Sequence, residues 1–224
     1  MLVKLKNKLA TSLSNYSYKK MLVHWLVKVL SIFYFPNLGK KFMVLRNWIY
    51  SEYIGNNLKK SGVRLYIDSS ANIIGMEYIE IADNFQAFSR LRLEAIGNYQ
   101  GKIYHPTIKI GSNVSINFDC HIAAINSISI GDGTMIGSKV LIIDHSHGVG
   151  NKNDINIAPA KRELYSSGQI NIGKNVWIGE SVAILAGVSI GDNAIIGANS
   201  VIAKDIPENS IVLGNPAKIL NYAA

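Results

Sequence analysis

From Ile172 to Ala203 the sequence repeats in sixes. Ile172-Gly173, Ile178-Gly179, Ile184-Leu185, Ile190-Gly191, Ile196-Gly197 and Ile202-Ala203 set an aliphatic residue, mostly with a small one behind it, at every sixth position. Val176, Val182, Val188, Ala194, Ser200 and Ile206 follow four residues after each aliphatic. Neither the period of a strand nor that of a helix produces an unbroken repeat of six. A coil of short strands does: each six-residue step is a strand and a turn, and its aliphatic side chain stacks on the equivalent one in the next coil. Small residues suit the corners, where a bulky side chain crowds the turn. The frame also runs through Ile110-Gly111, Ile116-Asn117 and Ile122-Ala123, slips by two, and resumes at Ile130-Gly131, Ile136-Gly137 and Ile142-Ile143. Val63 to Ile67, Ile73-Ile74 and Tyr78 to Phe85 read as irregular early coils, Arg90 to Glu94 as a half-exposed strand, and Gly97 to His105 as a connecting loop.

The N-terminus has a different character. Residues 1–60 hold eleven Lys or Arg and a single acid, Glu52, whereas the rest of the chain is slightly acidic and the whole carries +8. The pattern from Leu2 to about Tyr53 is helical. Leu22, Trp25, Leu26, Val29, Leu30 and Phe33 form a stripe with Lys19, Lys20 and Lys28 beside it; Pro36, Asn37 and Gly39 interrupt it before a second helix over Lys41–Tyr53. Two roles fit: a cap on the open end of the coil, and a helix lying on a membrane surface. The apolar run Met21–Phe35 contains His24 and Lys28 and falls short of the roughly 20 residues a spanning helix needs. It also begins too late for a cleaved signal peptide. Cys120 is the only cysteine, which excludes an intrachain disulfide and makes a reducing, cytoplasmic setting the simplest one, with contact at the inner membrane face through residues 1–60. The basic charge comes without a stacking aromatic motif, so no nucleic-acid partner is expected. The expected organisation is a basic helical segment, 1–60, and a coil domain, 61–224, ending in a tail over 205–224.

The repeat stops at Asp144 and restarts after Gln169, so residues 144–169 read as a loop extruded from the coil. Long excursions from a regular scaffold usually carry function. This one opens Asp144-His145-Ser146-His147-Gly148, the densest ionisable cluster in the chain. A neutral imidazole can take a proton from a hydroxyl near neutral pH, with a carboxylate or carbonyl on its other nitrogen fixing the tautomer. In strand geometry His145 and His147 share a face, which also permits a metal pair, but His105 and His121 stand at no recognised zinc spacing. A structural histidine pair remains a third reading.

The six-residue repeat, the Asp-His-Ser-His-Gly loop start, Ile172-Gly173-Lys174-Asn175-Val176-Trp177-Ile178-Gly179, and the close from Ala203-Lys204-Asp205-Ile206-Pro207 to Gly214-Asn215-Pro216-Ala217-Lys218 together resemble the hexapeptide-repeat acetyltransferases. The nearest patterns are the sugar O-acetyltransferases of the galactoside and maltose type and those that decorate O-antigen and capsule. The resemblance covers Ile110 to Lys218 well, 63–109 loosely and 1–60 hardly. It implies an all-β fold, a left-handed parallel β-helix, here with an N-terminal α-helical segment. It also implies a homotrimer with sites between subunits, and transfer of acetyl from acetyl-CoA to a sugar or glycan hydroxyl without a metal. Carried over by position, it makes His147 the general base, with His145 and Asp144 orienting it or the acceptor, and Asn117 an acceptor contact. Trp177 then lies beside the acetyl group and pantetheine arm, Gly179 and Ala198 where the coenzyme meets backbone, and Lys204 near its phosphates. Read without the resemblance, Asn117 is a corner residue satisfying its own turn, Trp177 a buried tryptophan at a coil edge and Lys204 a solvated lysine. Glu180 stands where many relatives have a small residue, and Ala203 where they have threonine. The rivals are a serine acetyltransferase, whose Thr-Gly and Gly-Glu elements are missing after the histidine; a γ-type carbonic anhydrase, whose histidine pair spaced five apart is missing; and a non-catalytic trimeric scaffold.

Overall fold

The computed structural model describes residues 18–31, 36–152 and 154–220, with only the backbone described at 36–38. The expected helix over 2–17 and the stripe residue Phe33 lie outside these.

Most strands fall into three sheets, and the chain visits the three in fixed rotation. Within each, successive coils pair in parallel, which fits a β-helix. The repeat fixes the register. Ile81, Ile110, Ile130, Ile172, Ile190 and Ile206 pair in sequence up the first sheet. Ile67, Ala87, Ile116, Ile136, Ile178, Ile196 and Val212 do so in the second. Ile73, Leu93, Ile122, Ile142, Ile184 and Ile202 complete the third. No member of these columns is more than 8% exposed, and each buried isoleucine contributes about 1.5–3 kcal/mol against the entropy of ordering the chain. The residues four positions on, from Val176 to Ile206, are buried too and fill the corners.

The corners turn by left-handed backbone. Between the first and second sheets the positive-φ residues are Arg64 on the first coil and then Asn84, Asn113, Gly133, Asn175, Asn193 and Asn209, of which the asparagines and the glycine are types that tolerate this region. The Asn84 amide donates to Asn113 (2.9 Å) and that of Asn193 to Asn209 (3.0 Å), a ladder along one edge.

The second helix runs Pro36–Asn57, longer at both ends than expected. Pro36 opens the helix instead of breaking it, because the first residue needs no N–H partner. The far end is extended by tertiary contacts. Ile54 is buried in the core, Ser51 Oγ accepts from Ile67 N (2.8 Å), and fully buried Asn47 donates to Tyr66 OH and Asp68 and accepts from Ser69. This half of the helix caps the first coil. The contact pattern divides the chain between Val44 and Leu45. In the first unit, residues 18–31 are helical, with Leu22, Trp25, Leu26 and Leu30 exposed. Among the described residues no helix is long and apolar enough to cross a membrane.

Two excursions leave the coil where it turns out of the third sheet. One is the loop read at 144–169, which forms a hairpin: Ser146 and His147 pair antiparallel with Tyr165 and Leu164. The other is residues 98–103, read from sequence as a plain connection. It too is a hairpin, pairing Asn98 with Ile103 and Tyr99 with Lys102.

Candidate active site

His147 is exposed on the longer hairpin. Gly148 follows it at φ +88°, where a Cβ would meet the Asp154 carboxylate at 2.6 Å, so the turn behind the imidazole needs glycine. The shorter hairpin clasps this one. Tyr104 OH donates to Leu164 O and accepts from Leu164 N, both at 3.1 Å, and Lys102 Nζ meets Glu163 at 2.6 Å. Tyr99 OH donates to Ala160 O (2.9 Å) and lies 3.4 Å from His147 Nδ1. Sequence reading missed Tyr99 and Tyr104. The signal was Gln100-Gly101, both at positive φ as a two-residue hairpin turn demands, but Gln-Gly advertises such a turn less clearly than Asn-Gly.

Neither Asp144 nor His145 hydrogen-bonds to His147. Asp144 is wholly buried, and its carboxylate accepts from Ile125 N (2.9 Å), Asn126 N (2.8 Å) and His145 Nδ1 (3.1 Å). It thereby holds the turn at which the repeat slips by two. The His145 side chain is 9% exposed against it, so the two histidines do not share a face: the strand begins only at Ser146. His121 is also committed, through Nε2 to Glu94 at 2.9 Å. Burial works to raise the Glu94 carboxyl, but His121 and Arg92 outweigh it and hold it below the usual value. Among the described residues no three His, Cys, Asp or Glu gather as metal ligands.

The other candidates lie on the second sheet. Trp177 is 51% exposed on its outer face, between Met135 and Ile195 on adjoining coils. The alternative reading of a tryptophan buried at a coil edge does not hold, because the neighbour Ile178 takes the inward place. Just beyond that strand, Gly179 N donates to Ile196 O, and a Cβ on Gly179 would stand 2.6 Å from Ala198 N. Gly179 and exposed Ala198 thus stack with bare backbone beside the tryptophan. Asn117 occupies the same column two coils earlier, its N–H bonded to Ile136 O. The left-handed corner residues of that coil are Asn113 and Asp119, so Asn117 is not a corner residue. Glu180 pairs with Lys139 on the preceding coil at 3.0 Å, an exposed contact worth about 0–1 kcal/mol. Lys204 is exposed in the turn from the third sheet to the first, and Trp177 projects from the second, so one chain presents these groups on different faces.

A family model described as bacterial transferase hexapeptide (six repeats) matches residues 170–204. The chain is 43% identical over 146 residues, 63% of its length and 70% of the relative's, to "Putative lipopolysaccharide biosynthesis O-acetyl transferase WbbJ" of Escherichia coli K12. It is 39% identical to the galactoside O-acetyltransferase of the same organism over 52% of this chain and 55% of that one. Among solved structures, a maltose O-acetyltransferase from Clostridium difficile 630 aligns over 81% of this chain and 82% of its own, at TM-score 0.53 and 26% identity. An N-acyltransferase from Bacillus cereus aligns over 76% and 86% at TM-score 0.61, with 18% identity, and shares the fold.

Proposed function

From the premise that this chain belongs to the hexapeptide-repeat acetyltransferases, we propose that it moves an acetyl group from acetyl-CoA to a sugar hydroxyl of a surface polysaccharide, with His147 as general base. The observation that carries this reading is the exposed His147 imidazole, held by the clasp of two hairpins. The residues present fit the coenzyme: an open tryptophan face beside a stacked Gly179–Ala198 edge offers an apolar wall and accessible backbone, and Lys204 offers a cation for phosphate. Acetyl-CoA supplies the acyl group as a thioester, already activated for attack. His147 takes the hydroxyl proton as the ester C–O bond forms and the thioester C–S bond breaks, then returns it to the departing sulfur. The Ala198 amide at the small-residue edge, where the Gly179 N–H is already bonded to Ile196 O, stabilises the developing oxyanion, and Asn117 positions the acceptor. Transfer is direct: burial pushes the Cys120 thiol up to about 11, so it offers no thiolate nucleophile. Purified protein incubated with acetyl-CoA and candidate glycans should release thiol only when an acceptor is present, and mass spectrometry should find the glycan heavier by one acetyl group. Thiol release without acylated glycan sinks the reading.

The same reading makes the coil left-handed and the enzyme a homotrimer. His147 and Trp177 leave a single chain from different faces, and a neighbouring subunit brings them together.

The basic end is read as a peripheral contact with anionic membrane at the cytoplasmic face, where a lipid-linked acceptor is presented. Support comes from exposed Met21, Trp25, Leu26 and Leu30 alongside Lys19, Lys20 and Lys28 on the first helix. Each basic side chain near such a surface contributes about 1 kcal/mol, screened by salt. The protein should float with phosphatidylglycerol-containing vesicles at low salt and stay behind with neutral ones, and Trp25→Asp should weaken flotation. Equal behaviour with both vesicle types excludes the contact.

A further inference from the structure

We propose that Tyr99 is a positioning residue that fixes the tautomer of His147, holding the ring hydrogen on Nδ1 so that Nε2 is free to take the acceptor's proton. The proposal rests on reading His147 as the base.

The reasoning is a count of hydrogens. Tyr99 OH has one to give, and its two neighbours are Ala160 O at 2.9 Å and His147 Nδ1 at 3.4 Å. A carbonyl oxygen can only accept, so the tyrosine hydrogen goes to Ala160. Gln100 also donates to Ala160 O, which has a second lone pair for it. The tyrosine oxygen then faces Nδ1 as an acceptor, and the pair is a hydrogen bond only if Nδ1 carries hydrogen. A neutral imidazole has one ring hydrogen, so Nε2 keeps its lone pair. A second contact fixes the ring plane: the Tyr99 and His147 rings meet edge to face, with centroids 5.5 Å apart at 69°.

A carboxylate is the usual partner for this task, and Asp144 lies three residues away. It is fully engaged with Ile125 N, Asn126 N and His145. The orienting group therefore comes from the other hairpin, and the Tyr104–Leu164 bonds keep the two hairpins in register. A free neutral histidine side chain in water keeps its ring hydrogen mainly on Nε2, the wrong nitrogen here, so the contact reverses the intrinsic preference. During transfer the proton from the hydroxyl adds at Nε2, the Nδ1 hydrogen stays directed at Tyr99, and the same Nε2 proton leaves for the departing sulfur. The long 3.4 Å contact suits a site that tightens on binding substrate.

The test is the ¹⁵N spectrum of histidine-labelled full-length protein at a pH where His147 is neutral, its signals assigned by their loss in His147→Gln. The expected result is the Nδ1–H tautomer in the native protein, a mixture in Tyr99→Phe, and turnover in that variant lower by about tenfold with KM for acetyl-CoA unchanged. Lys102→Ala removes another tie between the same hairpins without touching the imidazole, and should leave tautomer and turnover as they were. An Nε2–H tautomer in the native protein overturns the proposal whether or not any variant folds. So does Tyr99→Phe with native tautomer and turnover, or an equal loss in Lys102→Ala. The spectrum does not depend on activity: an Nδ1–H signal beside full turnover in a His147 variant would sink the base assignment and leave the Tyr99 contact standing.

Discussion

Replacing His147 with alanine is expected to lower turnover by about two to four orders of magnitude, the range that a positioned general base supplies. The fold should be untouched. The side chain is exposed on a hairpin, and its backbone pairing with Leu164 does not depend on the imidazole. Binding of coenzyme A, measured by calorimetry, should be unchanged, since Trp177 and the Gly179–Ala198 edge lie on another sheet. His145→Ala should behave differently. It removes a partner from wholly buried Asp144 and so should lower stability before it lowers chemistry. A sharper form mixes His147→Ala with Trp177→Ala after dissociation and reassembly. If the site lies between subunits, mixed trimers contain intact sites and regain part of the activity. Near-native turnover of His147→Ala alone removes the base from the mechanism, and no recovery on mixing removes the shared site.

The second large effect concerns two glycines two residues apart. Gly131→Ala should cost about 3 kcal/mol or leave the protein insoluble. Its Cβ would stand 2.6 Å from Gly173 C and O and 2.8 Å from Lys174 N, all backbone of the next coil, so nothing flexible can yield. Gly133→Asn should be nearly neutral. Gly133 has φ +71° in the corner where asparagine stands on five other coils, and the atom closest to its Cβ is the Asn175 side-chain oxygen, which can turn aside. The new amide would bridge the gap in the ladder between Asn113 and Asn175, and the unfolded chain would lose the freedom of a glycine. Urea unfolding of both variants decides it. Equal midpoints would mean that the spacing between coils is not set by these close approaches.

Much of this coil is legible in one dimension. Period six determines which side chain faces inward, and a parallel ladder pairs each residue with its own repeat, so Ile110, Ile130, Ile172 and Ile190 name their neighbours without further information. The same alternation places Trp177 outward, opposite inward Ile178; the alternative of a buried tryptophan rests on that residue's average habit and not on its place in the repeat. The second helix was misjudged at both ends for related reasons. Pro36 stands first in the helix, where a missing N–H costs nothing, and the turn beyond Tyr53 is helical because Ile54 has a coil to bury against.

The site was legible only in its parts. His147 stood out because it sits where the period fails, and Asp144 stood out with it, but its carboxylate holds a turn eighteen residues earlier and the adjacent His145, not His147. The group that does reach His147, Tyr99, is 48 residues away in a stretch with no periodic mark. The coil, its columns and the place where the chain leaves it follow from the order of residues alone, since a repeat carries its own contacts. That two excursions leaving the same edge on different coils meet and hold the imidazole is a product of folding in three dimensions, because that contact depends on distance in space, which no local pattern encodes.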